Sequence, residues 1–142
     1  MARIVFETDI AAPAATLVGA LATPEGIAGW WTDDVGFDGA GVGAVMRLGF
    51  AVAPVPFELT ITRADPSIVA WRSTGAFPPH WNDTTMTWTM TEADGSTKVH
   101  FNHDGWAADD GAFASSAYTW GQLMTTLKHH AETGAILPLF RR

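Results

Sequence analysis

The hydrophobic pattern is most regular in residues 109–133, where apolar side chains recur at steps of three and four. They are Phe113, Ala117, Trp120, Leu123, Met124, Leu127 and Ala131. This spacing places them on one face of an α-helix. Asp109 suits the N-cap position, because its carboxylate can accept hydrogen bonds from backbone amides, and Gly134 suits the left-handed residue after the helix. The stretch predicts a long amphipathic C-terminal helix that needs an apolar surface to pack on.

The preceding stretch, residues 84–103, alternates between bulky apolar and polar side chains, which predicts two strands. Asp94-Gly95 at its centre favours a two-residue type I′ turn. Counting outward from this turn gives three inward-facing pairs: Met90 with Val99, Trp88 with Phe101, and Met86 with His103. The alternate positions are polar, rich in threonine on the first strand. One apolar and one polar face are expected of a sheet that is covered on one side only.

The rest of the chain predicts one strand, two short helices and a run of further strands. The first strand covers residues 4–10, the first helix begins with Pro13 in its first turn and runs through Leu21, and the second has Thr23 as N-cap and ends at Trp30-Trp31. Further strands are predicted at residues 35–37, 45–50, 57–63 and 68–74. Proline-stiffened loops follow the second and fourth of these, at residues 53–56 and 77–81.

This order of elements predicts an α+β protein in which a curved antiparallel sheet wraps around the C-terminal helix. With 142 residues, of which 47% are hydrophobic, one domain spanning residues 1–142 is expected to bury a substantial core. A sheet that wraps around a helix often leaves space between them. That space, rimmed by the two proline-stiffened loops, is where a ligand site is expected.

Charge and composition exclude several classes of partner. The net charge is −7 and no basic cluster offsets it, so neither nucleic acid nor an anionic membrane surface is an expected partner. The absence of cysteine rules out disulfides, thiol nucleophiles and cysteine-based zinc sites. The N-terminal residues lack the features of a secretion signal, and no apolar run is long enough to span a bilayer. A cytoplasmic protein without membrane insertion is the expectation.

Several short motifs occur in an order that resembles a known superfamily. They are Ile10-Ala11-Ala12-Pro13, Thr23-Pro24-Glu25, Gly29-Trp30-Trp31-Thr32, His103-Asp104-Gly105-Trp106, Leu127-Lys128 and Glu132-Thr133-Gly134. Over nearly its whole length the chain resembles the START-like (Bet v 1-like, SRPBCC or helix-grip) superfamily. Within it, the chain resembles the AHSA-type branch, which is named for activators of heat shock protein 90 ATPase. The resemblance implies a helix-grip fold with a cavity and does not imply a particular reaction.

Eight residues are candidates for lining that cavity. They are Trp30, Phe57, Trp71, Trp88, Met90, Phe101, His103 and Trp120. An ordinary aromatic core explains the rings among them as well as a cavity wall does. His103 could orient a polar ligand group or act as a base, but a buried, neutral, hydrogen-bonded histidine is the favoured interpretation.

No catalytic residue, cofactor site or metal site is predicted. His129 and His130 are consecutive on a helix, so their side chains diverge by roughly 100° and suit a shared metal poorly. Asp33, Asp34 and Asp38 lack the spacing of a calcium loop. The serines of the C-terminal helix have no activating base nearby in the sequence.

The favoured function is binding of a small hydrophobic or amphipathic molecule, of lipid, polyketide or aromatic type, between the C-terminal helix and the sheet. One alternative is a co-chaperone-like protein-interaction module, and another is a cyclase or hydrolase that acts in the same cavity. An enzymatic role is the less favoured interpretation, and both a monomer and a homodimer remain open. Because one cavity-forming domain takes up the chain and its acidic balance offers no docking face, no stimulation of a chaperone ATPase is expected.

Overall fold

A curved, seven-stranded antiparallel sheet wraps around the long C-terminal helix. The computed structural model describes residues 2–141. In chain order the elements are β1 (Ile4–Ile10), α1 (Ala14–Ala22), α2 (Pro24–Ala28), β2 (Asp34–Asp38), β3 (Val45–Gly49), β4 (Phe57–Asp65), β5 (Ile68–Ser73), β6 (Thr85–Ala93), β7 (Ser96–Asp104) and α3 (Gly111–Thr133). The strands are ordered β1-β7-β6-β5-β4-β3-β2 across the sheet. The predicted α+β helix-grip fold is confirmed.

The hairpin formed by β6 and β7 has the register that its turn predicts. Asp94 and Gly95 have φ angles of 55° and 77°, and positive values at both positions are the mark of a type I′ turn. The predicted cross-strand pairs, Met90 with Val99, Trp88 with Phe101 and Met86 with His103, are confirmed. All six side chains are buried, so the apolar face of the hairpin forms the centre of the core.

The helix α3 begins one residue later than the sequence suggests. Asp110, not Asp109, is the N-cap, and its Oδ1 accepts hydrogen bonds from the amides of Ala112 at 3.2 Å and Phe113 at 3.4 Å. The prediction of Asp109 was therefore wrong. An N-cap at Asp110 is consistent with the packing of Phe113, whose ring centroid lies 5.2 Å from that of Trp106. This contact fixes which residues of the helix face inward. At the other end of α3, Gly134 has the predicted left-handed conformation, with φ of 76°. Its amide donates to the carbonyl of His130.

The two short helices follow the first strand as predicted, with shifted ends. Thr23 caps α2 through a 3.0 Å hydrogen bond from the amide of Gly26, and Pro24 is its first residue. Helix α2 ends at Ala28, so the two tryptophans that follow lie in a turn beyond it. Pro13 lies just before α1 and not in its first turn. The amide of Ala14 instead donates to the Glu92 carboxylate of β6 at 2.8 Å.

The core is a cluster of tryptophan rings, and two of them satisfy the end of helix α1. The last carbonyl groups of a helix have no partner within the helix. The indole of Trp30 donates to the carbonyl of Ala20 at 2.8 Å, and that of Trp71 donates to the carbonyl of Leu21 at 3.1 Å. These bonds tie α1 to the turn after α2 and to the centre of the sheet. The indole nitrogen of Trp88 is buried among other rings and has no hydrogen-bond partner among residues 2–141.

Candidate ligand-binding site

A pocket of about 330 Å³ opens where the first half of α3 faces the loops at one end of the sheet. Its lining is mainly apolar, and seven of the residues that form it carry aromatic rings. The lining residues are Trp31, Phe50, Val52, Ala53, Phe57, Phe77, Pro78, His80, Trp81, Ser115, Ser116, Thr119, Trp120, Leu123 and Phe140. A concave apolar site with a few polar groups is the usual form of a small-molecule site.

The rings of the pocket contact one another and form a continuous wall. Phe57 is at the centre of one side, with ring centroids 4.8 Å from Phe50, 5.6 Å from Phe77 and 5.2 Å from Trp81. On the other side the rings of Trp81 and Trp120 lie 6.0 Å apart and are nearly parallel, at 12°. Such offset and edge-to-face contacts are favourable and hold each ring in place. The wall is therefore held together by contacts between the protein's own rings.

Both proline-stiffened loops lie at the rim of the pocket. Val52 and Ala53 come from the loop between β3 and β4, and Phe77 and Pro78 come from the loop between β5 and β6. The latter loop then makes one 3₁₀ turn, Pro79–Trp81, which directs the Trp81 ring inward. Because proline restricts the backbone of both loops, their apolar side chains are held in place at the edge of the pocket.

The C-terminal residues complete the wall. After α3 the chain returns along the segment that follows α2, through hydrogen bonds from the amides of Leu137, Leu139 and Phe140 to the carbonyls of Gly29, Trp30 and Trp31 at 3.1, 3.0 and 2.9 Å. This pairing brings Phe140 edge-on to Phe50, with ring centroids 5.1 Å apart. Residues that are far apart in the sequence thus form one side of the pocket.

Of the eight residues predicted to line a cavity, the structure brings Phe57 and Trp120 into the wall of this pocket. The other six lie in the packed core outside its lining, with exposures of 0 to 4%: Trp30, Trp71, Trp88, Met90, Phe101 and His103. The inward face of a strand is covered by helices α1 and α3 near the sheet centre, whereas the pocket forms where the loops diverge from α3. A binding role for these six residues stays a prediction.

Sequence reasoning did not identify most of the aromatic wall. Trp31, Trp81 and Phe140 lie outside the α-helices and strands, where no periodicity indicates which way a side chain points. Phe50 belongs to the predicted strand 45–50, but β3 ends at Gly49, so Phe50 lies just beyond it. The available signal was their position beside glycine- and proline-rich turns, where a large apolar residue is more costly to leave exposed. That signal indicates burial, but it does not indicate that the buried rings meet around a space.

His103 is fully buried behind the pocket wall, and both of its ring nitrogens are occupied. An indole N–H can only donate, so the 3.0 Å contact from Trp120 makes Nδ1 of His103 an acceptor. Nε2 therefore carries the proton and donates to the Thr84 hydroxyl at 2.9 Å, and that hydroxyl donates to the carbonyl of Trp81 at 2.7 Å. Burial, and to a lesser extent the charge of nearby His80, lowers the pKa of His103 to about 3. This agrees with the predicted buried, neutral histidine.

The polar groups that do reach the pocket are few. Ser116 accepts a hydrogen bond from the Trp81 indole at 3.2 Å, and Thr119 donates its hydroxyl to the carbonyl of Ser115 at 3.1 Å. His80 is exposed at the rim, where its ring stacks on Trp106 at 5.9 Å, and partial burial lowers its pKa. Among the described lining residues His80 is the one titratable group, so no pair of acid and base converges there.

In the described part of the chain, no three histidine, aspartate or glutamate side chains are grouped so that they could hold a metal ion. Across residues 2–141, no helix is both long enough and apolar enough to cross a bilayer.

A curved antiparallel sheet closed around a C-terminal helix, with two short helices after the first strand, defines a START-like helix-grip protein. The chain belongs within this class to the family described as Activator of Hsp90 ATPase homolog 1-like protein, which matches residues 11–132. The wider fold family is known for hydrophobic ligand binding and for co-chaperone roles. A comparison with curated proteins gave no match.

Solved structures with the same fold include one of a bacterial Aha1 protein. The chain is similar to the Aha1 dimer from Colwellia psychrerythraea, with 27% identity and a TM-score of 0.82 over 94% of this chain and 98% of that one. It is also similar in fold to the protein SSP2350 from Staphylococcus saprophyticus, with 18% identity and a TM-score of 0.73 over 96% of each chain. DynU16, a putative protein in the dynemicin biosynthetic locus, shares the fold at 19% identity and a TM-score of 0.73, over 99% of this chain and 51% of that one.

Proposed function

We propose that this protein binds a small, mainly apolar molecule in the pocket between α3 and the two proline-stiffened loops. The observation that carries the proposal is the contrast between a densely packed tryptophan core and, beside it, a 330 Å³ space walled by seven aromatic rings. If the interior served only stability, these rings would be expected to close on one another, since apolar surface left in contact with water is unfavourable.

The size of the pocket limits the ligand. Ligand pockets usually measure roughly 300–1,000 Å³, so this one is at the small end and fits a molecule of one or two rings or a short acyl chain. Burial of about 200 Å² of apolar ligand surface would contribute about 5 kcal/mol before the entropic cost of association. Affinities in the micromolar range or weaker are therefore expected.

Tryptophan fluorescence tests the proposal directly, because Trp31, Trp81 and Trp120 lie in the wall. Flavonoids, fatty acids and small polyketides are titrated, and quenching or a spectral shift is followed. The variant Thr119→Phe places a ring in the pocket and should abolish binding. The variant Thr125→Phe makes the same change at an exposed position of α3 outside the pocket and should bind as the wild type does.

The proposal fails if no compound of this panel binds below millimolar concentration. It also fails if Thr119→Phe binds as tightly as Thr125→Phe while both variants remain folded by circular dichroism. In either case the aromatic wall would be only part of the core.

A protein-interaction role of the co-chaperone type is the second candidate, and one surface feature favours it besides the family membership. The loop at residues 51–56 is uncharged and apolar throughout, and Val52 and Val55 are 94% and 51% exposed. Apolar side chains exposed together are typical of binding surfaces. A chaperone ATPase assay with a bacterial Hsp90 tests it: stimulation that is lost in the double variant Val52→Ser, Val55→Ser, but kept in Thr119→Phe, would support this role.

A further inference from the structure

The Ser116 hydroxyl is bonded differently from three threonine hydroxyls of the helix on which it lies. Thr119, Thr125 and Thr133 each donate the hydroxyl hydrogen to the carbonyl four residues earlier in α3. Ser116 makes no such bond. Its oxygen instead accepts the indole hydrogen of Trp81 at 3.2 Å, and within residues 2–141 its own hydrogen has no acceptor.

This arrangement turns Ser116 into a hydrogen-bond donor toward the pocket. An indole N–H can only donate, so the role of the serine oxygen as acceptor is fixed. A hydroxyl that already accepts one hydrogen bond is polarised and donates more strongly. Ser116 is half-buried in the lining of the pocket, so the free hydrogen can be satisfied by a ligand atom as well as by water.

The remaining lining groups restrict the kind of acceptor. Thr119 has already donated its hydroxyl hydrogen, and Ser115 and His80 are both exposed, whereas Ser116 is half-buried. Neither lysine nor arginine is among the described lining residues, so nothing with a fixed positive charge is present to balance a carboxylate. A neutral oxygen, such as that of a ketone, ester or quinone, meets a neutral hydroxyl donor at lower desolvation cost than an anion does.

The ring arrangement restricts the rest of the ligand. Trp81, which holds Ser116, has its ring parallel to that of Trp120, and the Phe57 ring meets it edge-on at 5.2 Å. A flat aromatic molecule can make the same stacked and edge-to-face contacts with these rings, which a flexible acyl chain cannot.

We propose that the pocket selects planar aromatic compounds that carry a neutral carbonyl oxygen, and that Ser116 is the residue that recognises this oxygen. The inference rests on the proposed binding function and narrows its ligand class, since it disfavours fatty acids with a free carboxylate.

Two probes of nearly equal shape test the inference. In 2-acetylnaphthalene the side group carries a carbonyl oxygen, and in 2-isopropenylnaphthalene a methylene group replaces it. Dissociation constants for both are measured with the wild type and with Ser116→Ala. Loss of one hydrogen bond is expected to weaken binding of the ketone by roughly three- to tenfold. Binding of the alkene should change by less than about twofold.

Controls separate recognition from a structural effect of the same substitution. Removal of the Ser116 hydroxyl also leaves the Trp81 indole without its hydrogen-bond acceptor. That structural effect would weaken the binding of both probes equally. Ser116→Thr keeps the hydroxyl and should restore the preference for the ketone, and Thr125→Ala, which removes a hydroxyl from α3 outside the pocket, should change neither constant.

The possible outcomes distinguish this inference from the function on which it rests. If Ser116→Ala changes the dissociation constants of both probes by the same factor, or changes neither, the inference is overturned while the binding function stands. If 2-naphthoate binds the wild type more tightly than the ketone does, the neutral-acceptor assignment is wrong. If no naphthalene probe binds, the inference is overturned, and the wider panel of apolar compounds decides whether the binding function also fails.

Discussion

The indole of Trp120 donates a hydrogen bond to the imidazole of His103 at 3.0 Å, and this single contact determines the state of the histidine. A protonated imidazole has no lone pair with which to accept it. His103 must therefore remain neutral, with its proton on Nε2, for as long as the two rings stay in contact. The contact also holds Trp120, one wall of the pocket, to the C-terminal end of β7.

The first prediction concerns acid stability. His103 has a pKa of about 3 in the folded state and 6.5 as its ordinary value, so between these pH values the unfolded chain binds a proton that the folded chain does not. Stability therefore falls as the pH is lowered through this window. The full slope of roughly 1.4 kcal/mol per pH unit applies once the unfolded histidine is protonated, and at pH 6.5 it is only half protonated. The loss between pH 6.5 and 5 is therefore about 1.6 kcal/mol, before most carboxylates protonate.

Urea denaturation at several pH values measures this loss. An NMR titration assigns it, because the ring signals of His103 should stay constant down to pH 5 and show the Nε2–H tautomer. A His103 signal that titrates near pH 6.5 would show that the ring is solvated and would contradict the hydrogen-bonded arrangement.

The second prediction concerns the two faces of the hairpin. Trp88 is fully buried against Phe101, with ring centroids 4.3 Å apart, whereas the neighbouring Thr89 is exposed on the outer face. Trp88→Ala should lower the free energy of unfolding by roughly 3–5 kcal/mol, and Thr89→Ala by less than about 1 kcal/mol. Chemical denaturation of both variants provides the measurement, and equal losses would be incompatible with the observed register.

The third prediction concerns the contact between the two short helices. A Cβ atom at Gly26 would collide with the carbonyl oxygen of Gly19 and lie 2.7 Å from the Cα of Ala20, and both are backbone atoms that cannot turn aside. Gly26→Ala should therefore destabilise the protein by about 1–3 kcal/mol although it favours helix. Gly36→Ala is the control, since a Cβ atom there would meet no described residue other than its chain neighbours within 4 Å. A melting temperature that is unchanged in Gly26→Ala would argue against this helix contact.

The fourth prediction concerns the start of α1. Its first amide, that of Ala14, is satisfied by the Glu92 carboxylate across 78 residues of sequence. Glu92→Ala should cost roughly 0.5–2 kcal/mol, as loss of a conventional helix cap does. Thr91→Ala, one residue earlier and exposed, serves as the comparison. The expected result is a lower urea midpoint for Glu92→Ala alone; equal midpoints would mean that the long-range cap adds nothing.

Elements with strong local signals could be predicted from the sequence. The Asp94-Gly95 turn and the alternation beside it determine the register of the hairpin, because a shift by one residue would turn Trp88 and Phe101 outward. The N-cap was placed one residue too early because Asp109 and Asp110 have the same chemistry. Packing of Phe113, a tertiary contact, separates them.

The pocket could not be predicted in the same way. Strand alternation identifies residues such as Trp71 that face inward, and facing inward at the sheet centre leads to the core. The space forms where loops leave the sheet, and its shape depends on where Phe140 and Trp81 come to lie relative to α3. Those positions follow from contacts between distant parts of the chain, which no local pattern records.

The tryptophans that tie α1 to the sheet and the aromatic wall of the pocket are different sets of residues. Trp30 and Trp71 bond to α1 and do not line the pocket, whereas Val52, Phe77 and Pro78 line it from loops outside the strands. Substitutions at exposed loop positions such as Val52 can therefore accumulate with little loss of folding stability. In a gene family, such a division would let ligand preference diverge quickly on an unchanged scaffold, and in the laboratory it makes the two loops suitable targets for a randomised library.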